Sequence, residues 1–70
     1  MNRSDSVNDL VRKRIRALRK SKGLSMRKLA KRADMPMSSY AAIESGRYKI
    51  NVNNLYLILG AIEADITEVW

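Results

Sequence analysis

Cysteine and histidine are both missing from this chain of 70 residues. Without thiols there can be no disulfide, thiolate metal site or cysteine nucleophile. Without imidazole the chain lacks the usual general base near neutral pH and the commonest nitrogen ligand for metals. Acids are few, seven against fourteen Lys and Arg, and they show no paired catalytic arrangement. Neither an enzyme nor a cofactor or metal is expected. Long apolar runs are missing too. The longest, Leu55 to Ile62, is far short of the roughly 20 residues that cross a bilayer. The N-terminus is polar and carries no signal-peptide core. The simplest expectation is a soluble, cytoplasmic protein with no membrane role.

What is present fits one small globular domain. The composition is 46% hydrophobic, ordinary for a folded chain, so disorder is not the default. The charge is uneven. All fourteen bases lie between Arg3 and Lys49 with four acids, giving +10, whereas residues 50–70 hold Glu63, Asp65 and Glu68 and no base, giving −3. A basic front and an acidic tail suggest a face that meets a polyanion. A solvated basic surface explains the charge equally well.

Hydrophobic spacing divides the chain into five helices, about 7–22, 26–33, 37–45, 52–63 and 66–70. The polar residues 1–6 are expected to be a flexible arm, with Ser6 capping the first helix. Val7, Leu10, Val11, Ile15 and Leu18 fall three and four apart and form one apolar stripe. Gly23 suits the C′ position, with Leu24 as the apolar contact beyond it. Ser25 is an N-cap for the second helix, whose inner face is Met26, Leu29, Ala30 and Ala33. Pro36 suits the start of the third, where Tyr40 and Ile43 point inward and Gly46 ends the helix. Asn51 caps the fourth, with Val52, Leu55, Ile58, Leu59 and Ile62 as its core stripe. Asp65 and Glu68 have capping-box spacing before Val69 and Trp70. Very short turns between such helices make a compact all-α domain.

The stretch from Met26 to Glu44 has the requirements of a helix-turn-helix. Ala30 is small where two helices must approach. Asp34 tolerates a left-handed backbone in the turn, though glycine would do so at less cost. Met35 fills the corner, and Tyr40 and Ile43 pin the second helix to the first.

At this point the chain resembles the Cro/repressor-type helix-turn-helix family (XRE, lambda-repressor-like). The resembling residues are Ile15, Arg16, Leu18 and Arg19; Gly23-Leu24-Ser25 with Leu29-Ala30; Ile43-Glu44 with Gly46-Arg47; and Leu55, Ile58, Ile62, Ile66 and Val69. They run in order and without a gap over about residues 12–70. The resemblance implies a lambda-repressor-like fold and binding to double-stranded DNA in the major groove. It implies an ion pair between Arg19 and Glu44. It places Met37, Ser38 and Ala42 against base edges. It places Met26, Arg27, Ser39, Ser45, Arg47 and Lys49 at phosphates, with the start of the second helix presenting its N–H groups there.

The chain departs from the family pattern in several places. Met26 stands where many members carry glutamine, which removes one phosphate contact. Pro36 replaces a Ser or Thr cap, Ile50 a common proline, and Tyr40 an isoleucine or valine. The third helix has no Arg, Lys, Asn or Gln, so it cannot make bidentate contacts to guanine or adenine. Hydroxyl contacts from Ser38 and Ser39, apolar contacts from Met37 and Ala42, and DNA shape remain. Arg12, Lys13 and Arg16 read more simply as a solvated face. Arg27, Lys28, Lys31 and Arg32 divide evenly between solubility and long-range attraction to DNA. Arg3 reads as part of the frayed end.

The fourth helix is apolar nearly all round, which one small domain cannot cover. Tyr56, Leu57, Gly60 and Trp70 are therefore expected at a homodimer interface. A monomer, or cover by further chain, would also account for them. The functional expectation is a sequence-specific transcriptional regulator, a repressor before an activator. The alternative is an antitoxin of a toxin–antitoxin pair, or an adaptor, using the same fold on a protein partner.

Overall fold

The structure is a computed structural model that describes the backbone of residues 3–69 and the side chains of residues 7–69. Four α-helices follow in order, α1 (Arg3–Ser21), α2 (Met26–Arg32), α3 (Met37–Glu44) and α4 (Val52–Ile62), and a 3₁₀ turn, Ile66–Glu68, closes the chain. No strand occurs among the described residues. The expected all-α fold is present, with two corrections. Helix α1 begins at Arg3, so Ser6 lies inside it and does not cap it. The fifth helix is a single 3₁₀ turn of three residues, opened by the reciprocal Asp65–Glu68 capping box and closed by the Val69 N–H on the Ile66 carbonyl at 3.2 Å.

The local chemistry explains the boundaries. The Ser25 and Asn51 side chains accept the N–H groups of Lys28 and Asn54, at 3.1 and 2.7 Å, and so start α2 and α4. All four helices end in one motif. Leu24, Met35, Arg47 and Ala64 return their N–H groups to the carbonyls of Arg19, Ala30, Ala42 and Leu59. Each return needs one residue in the left-handed region. Gly23 and Gly46 supply two of these, and Asp34 and Glu63, both at φ 55, supply the others. The left-handed turn expected at Asp34 is thus observed. Glu63 uses the same conformation, and its carbonyl accepts Lys22 Nζ at 3.3 Å.

The core gathers Val11, Ile15, Leu24, Leu29, Ala30, Ala33, Tyr40, Ile43, Ile58, Ala61, Ile62 and Val69. Helix α2 packs against α3 and α4, and α1 packs against α3. Ala30 is sealed at the helix crossing, as the motif requires. Three expected stripe residues, Val7, Leu10 and Val52, are exposed. Val7 and Val52 sit toward the outer ends of α1 and α4, where they line a small open cleft with Ile50 and Leu55, and Leu10, in mid-helix, turns to solvent about 100° round from the buried Val11. Asn8 Oδ1 holds that edge by accepting the Ile50 N–H at 3.2 Å.

Gly46 sits under α1. At φ +86 an added Cβ would meet Arg12 Nε at 2.9 Å, whereas at Gly23, φ +70, it would meet nothing within 4 Å. Gly46→Ala should therefore cost about 2 kcal/mol and Gly23→Ala about 1. Urea unfolding of the two variants checks this, and equal losses would show that Arg12 moves aside freely.

Candidate nucleic-acid interface

One face of α1 carries Arg12, Arg16 and Arg19, spaced four and three apart, so all three point the same way. They meet the end of α3. Arg19 grips Glu44 with two parallel bonds, Nε to Oε2 at 3.0 Å and Nη2 to Oε1 at 2.8 Å. Its Nη1 donates to the Leu24 carbonyl at 2.7 Å. Both partners are buried, at 8% and 9% exposure. Arg16 Nε lies 3.7 Å from the same carboxylate, with its side chain still largely in solvent. Arg12 Nε donates to Asp9 at 3.0 Å, and its Nη1 donates to the Glu44 carbonyl at 3.4 Å. Arg12 thus caps the α3 C-terminus, where the helix dipole favours a cation.

The pair sets the protonation of its surroundings. Burial pushes the Glu44 carboxyl up, but the Arg19 hydrogen bond, the nearby Tyr40 hydroxyl and the charges of Arg19 and Arg16 outweigh it and hold the group below its ordinary value. The Tyr40 hydroxyl is buried without a hydrogen bond of good geometry among the described residues. Burial first, and then the Glu44 carboxylate, push its ionisation well above the usual phenol range, so it stays neutral.

With the end of α3 held in this way, its outer face is defined. Met37 is 40% exposed, Ser38 is exposed beside it, and Ala41 and Ser45 follow on the same side at four-residue steps. An open groove of about 430 Å³ runs along this face, lined by Arg16, Arg19, Met26, Ala41, Glu44, Ser45 and Arg47. Ala42 is a correction. It is 5% exposed and belongs to the interior. The chain after α3 folds back over it, with the Arg47 and Tyr48 N–H groups both bound to its carbonyl at 2.9 and 3.2 Å. Ala41 takes the groove position expected of Ala42.

Of the residues expected at phosphates, Met26, Ser45 and Arg47 come together in the groove. The Ser45 hydroxyl is partly engaged, donating to the Ala42 carbonyl at 3.1 Å. Ser39 is half-buried and Lys49 is exposed. Arg27 stands apart, on a second basic concavity with Gly23, Ser25, Lys28 and Lys31. Arg12 is the residue that the reading of a solvated face missed, whereas Arg16 stays largely in solvent, as expected, while also lining the groove. The signal for Arg12 was its spacing from Arg19, which fixes it on the Glu44 side of α1. Tyr56 is exposed, Gly60 is exposed and Leu57 is half-buried on α4, while Trp70 lies outside the described residues. No group of His, Cys, Asp and Glu among the described residues is arranged to hold a metal. No helix among them is long and apolar enough to cross a membrane.

Two short helices crossing at a buried alanine, the second with a free face between arginines, define a helix-turn-helix domain. A helix-turn-helix family model, that of Cro/repressor-type (XRE) regulators, matches residues 15–69. The chain belongs to this family of DNA-binding transcription regulators. Comparison with curated proteins and with solved structures gave no match.

The depressed Glu44 carboxyl contributes stability that is complete above its unfolded value, about 4.3, and lost as pH falls through its folded value. Unfolding measured from pH 7 down to pH 3 should show a steeper acid loss for the native chain than for Glu44→Gln. That variant should already be about 3 kcal/mol weaker at neutral pH, because Arg19 is left buried and unpaired. Parallel curves would mean that the pair does not persist in solution.

Proposed function

We propose that the chain is a repressor that lays α3 in the major groove of double-stranded DNA and grips the flanking phosphates with Arg16 and Arg47. The observation that carries this reading is the open groove beside α3, with a guanidinium on either side and a helix face of small, uncharged groups between them. Met37, Ser38 and Ala41 would meet base edges. Met26, Ser39, Ser45 and Lys49 would lie along the backbone, and Arg27 would add long-range attraction from the neighbouring concavity. Occupying a site blocks other proteins from it and needs no further surface, which favours repression over activation.

The proposed working form is a homodimer. Tyr56 is 75% exposed and Ile66 45%. They border an apolar hollow with Leu57, Gly60 and Ala64 whose rim carries one cation, Arg32, and one anion, Asp65. A twofold axis through this hollow can set each charge against its opposite on the second copy, and would present two α3 helices to half-sites about one helical turn apart. The same apolar hollow favours a second reading, in which a different protein docks there, as in an antitoxin or an adaptor.

Arg47→Ala and Arg16→Ala should each weaken binding to every duplex and lower the salt slope by about one unit. Affinity measured across a salt series decides it, and a loss confined to one sequence would contradict phosphate contact. Sedimentation should show a dimer that Tyr56→Lys dissociates. A native chain that stays monomeric at high micromolar concentration would defeat the dimer.

A further inference from the structure

Helix α3, MSSYAAIE, carries one charged side chain, and Arg19 occupies it. Its outer face offers a thioether chain at Met37, a methyl at Ala41 and hydroxyls at Ser38 and Ser45. In the major groove, guanine, adenine and cytosine present only donors and acceptors, whereas thymine also presents a methyl group. A face of this composition cannot satisfy the paired acceptors of guanine, and it leaves them dry against carbon. Against a thymine methyl the same face makes a contact at no polar cost.

Resting on the DNA docking proposed above, we infer that this chain selects its sites through thymine methyl groups, with Met37 and Ala41 as the residues that read them. Met37 supplies the longer reach, and its flexible chain adapts to the methyl's position. Ala41, one turn further on and half-buried in the groove, meets a methyl only when the helix is fully seated. The Ser38 hydroxyl donates or accepts and therefore tolerates either base beside it. Arg16 and Arg47 hold the phosphates and add affinity without choosing a base.

Deoxyuridine isolates this contact, because it keeps thymine's hydrogen-bonding edge and lacks only the methyl. A random duplex pool is first selected on the full chain. The selected site is then remade with deoxyuridine for thymine, one position at a time, and affinity is read by fluorescence anisotropy. The expected motif has thymine at its defined positions, and loss of a read methyl weakens binding about fourfold. Met37→Ser and Ala41→Ser, each confirmed helical by circular dichroism, should lose the discrimination at one position while still binding. Equal affinity for thymine and deoxyuridine throughout, or a motif defined by guanine, overturns the methyl reading and leaves DNA binding standing. A folded chain that binds no duplex at low salt overturns both.

Discussion

The arrangement of this domain turns on the buried pairing of Arg19 with Glu44. Ion pairs of this kind add little net stability, because removing two charges from water costs nearly what their attraction returns. Their value is geometric. A guanidinium fork on a carboxylate has one good orientation, and here it joins the end of α1 to the end of α3 across 25 residues of sequence. Leu24 adds a third point by offering its carbonyl to the same guanidinium. Arg12 holds the Glu44 carbonyl from the opposite end of the α1 face. With its last turn clamped in two places, α3 cannot rotate about its axis. Rotation is what would exchange Met37, Ala41 and Ser45 for Tyr40, Ile43 and Glu44 as the outward residues.

The helix ends make the clamp possible. Each helix stops with the same backward pair of backbone bonds, which reverses the chain within two or three residues. Short reversals leave little freedom in the angle between successive helices. Glycine carries the two ends that α1 residues approach or form. Gly46 is the tightest, since Arg12 occupies the space a side chain would need. Asp34 and Glu63 hold the other two in a conformation that costs a non-glycine residue about 1 kcal/mol. Both sit where the chain is exposed, so the strain is bounded by water and not compounded by packing.

Much of this was legible in the residues. The three- and four-residue spacing of Val11 and Ile15, of Leu29 with Ala30 and Ala33, and of Ile58 with Ile62 marks faces that are buried. The glycines and Asp34 mark real turns. The inward pair of α3, Tyr40 and Ile43, was legible too, but which of that helix's two alanines is covered was not. Tyr40, Ala41, Ala42 and Ile43 are consecutive apolar residues, and one position of error turns a helix by about 100°. Only the loop folding back onto the Ala42 carbonyl decides which alanine is covered. The second partner of Arg12 was not legible either. Its pair with Asp9, three residues back, can be read from the sequence, but the Glu44 carbonyl that it caps lies 32 residues away and leaves no trace in composition. Val7 and Val52 have the right spacing but lie past the edge of a core that a chain of this size can build, and Leu10 lies about 100° round the helix from Val11, off the buried face.

The uneven charge and the plain face of α3 bear on each other. Residues 3–49 carry +10, a field that draws the domain to any duplex and says nothing about sequence. A strong general attraction beside the weak base contacts proposed for α3 would make a poor discriminator as one unit, since every non-specific site shares that attraction. Discrimination rises when two such units are joined, because the small preference of each helix is then counted twice while the cost of association is met once. The acidic tail fits that division. Residues 50–70 carry −3, and the hollow beside the exposed Tyr56 has one cation, Arg32, and one anion, Asp65, at its rim, so no excess of positive charge draws that hollow to a duplex. On the proposed reading, α3 with its flanking arginines would serve nucleic acid, and the hollow beside Tyr56 a second polypeptide.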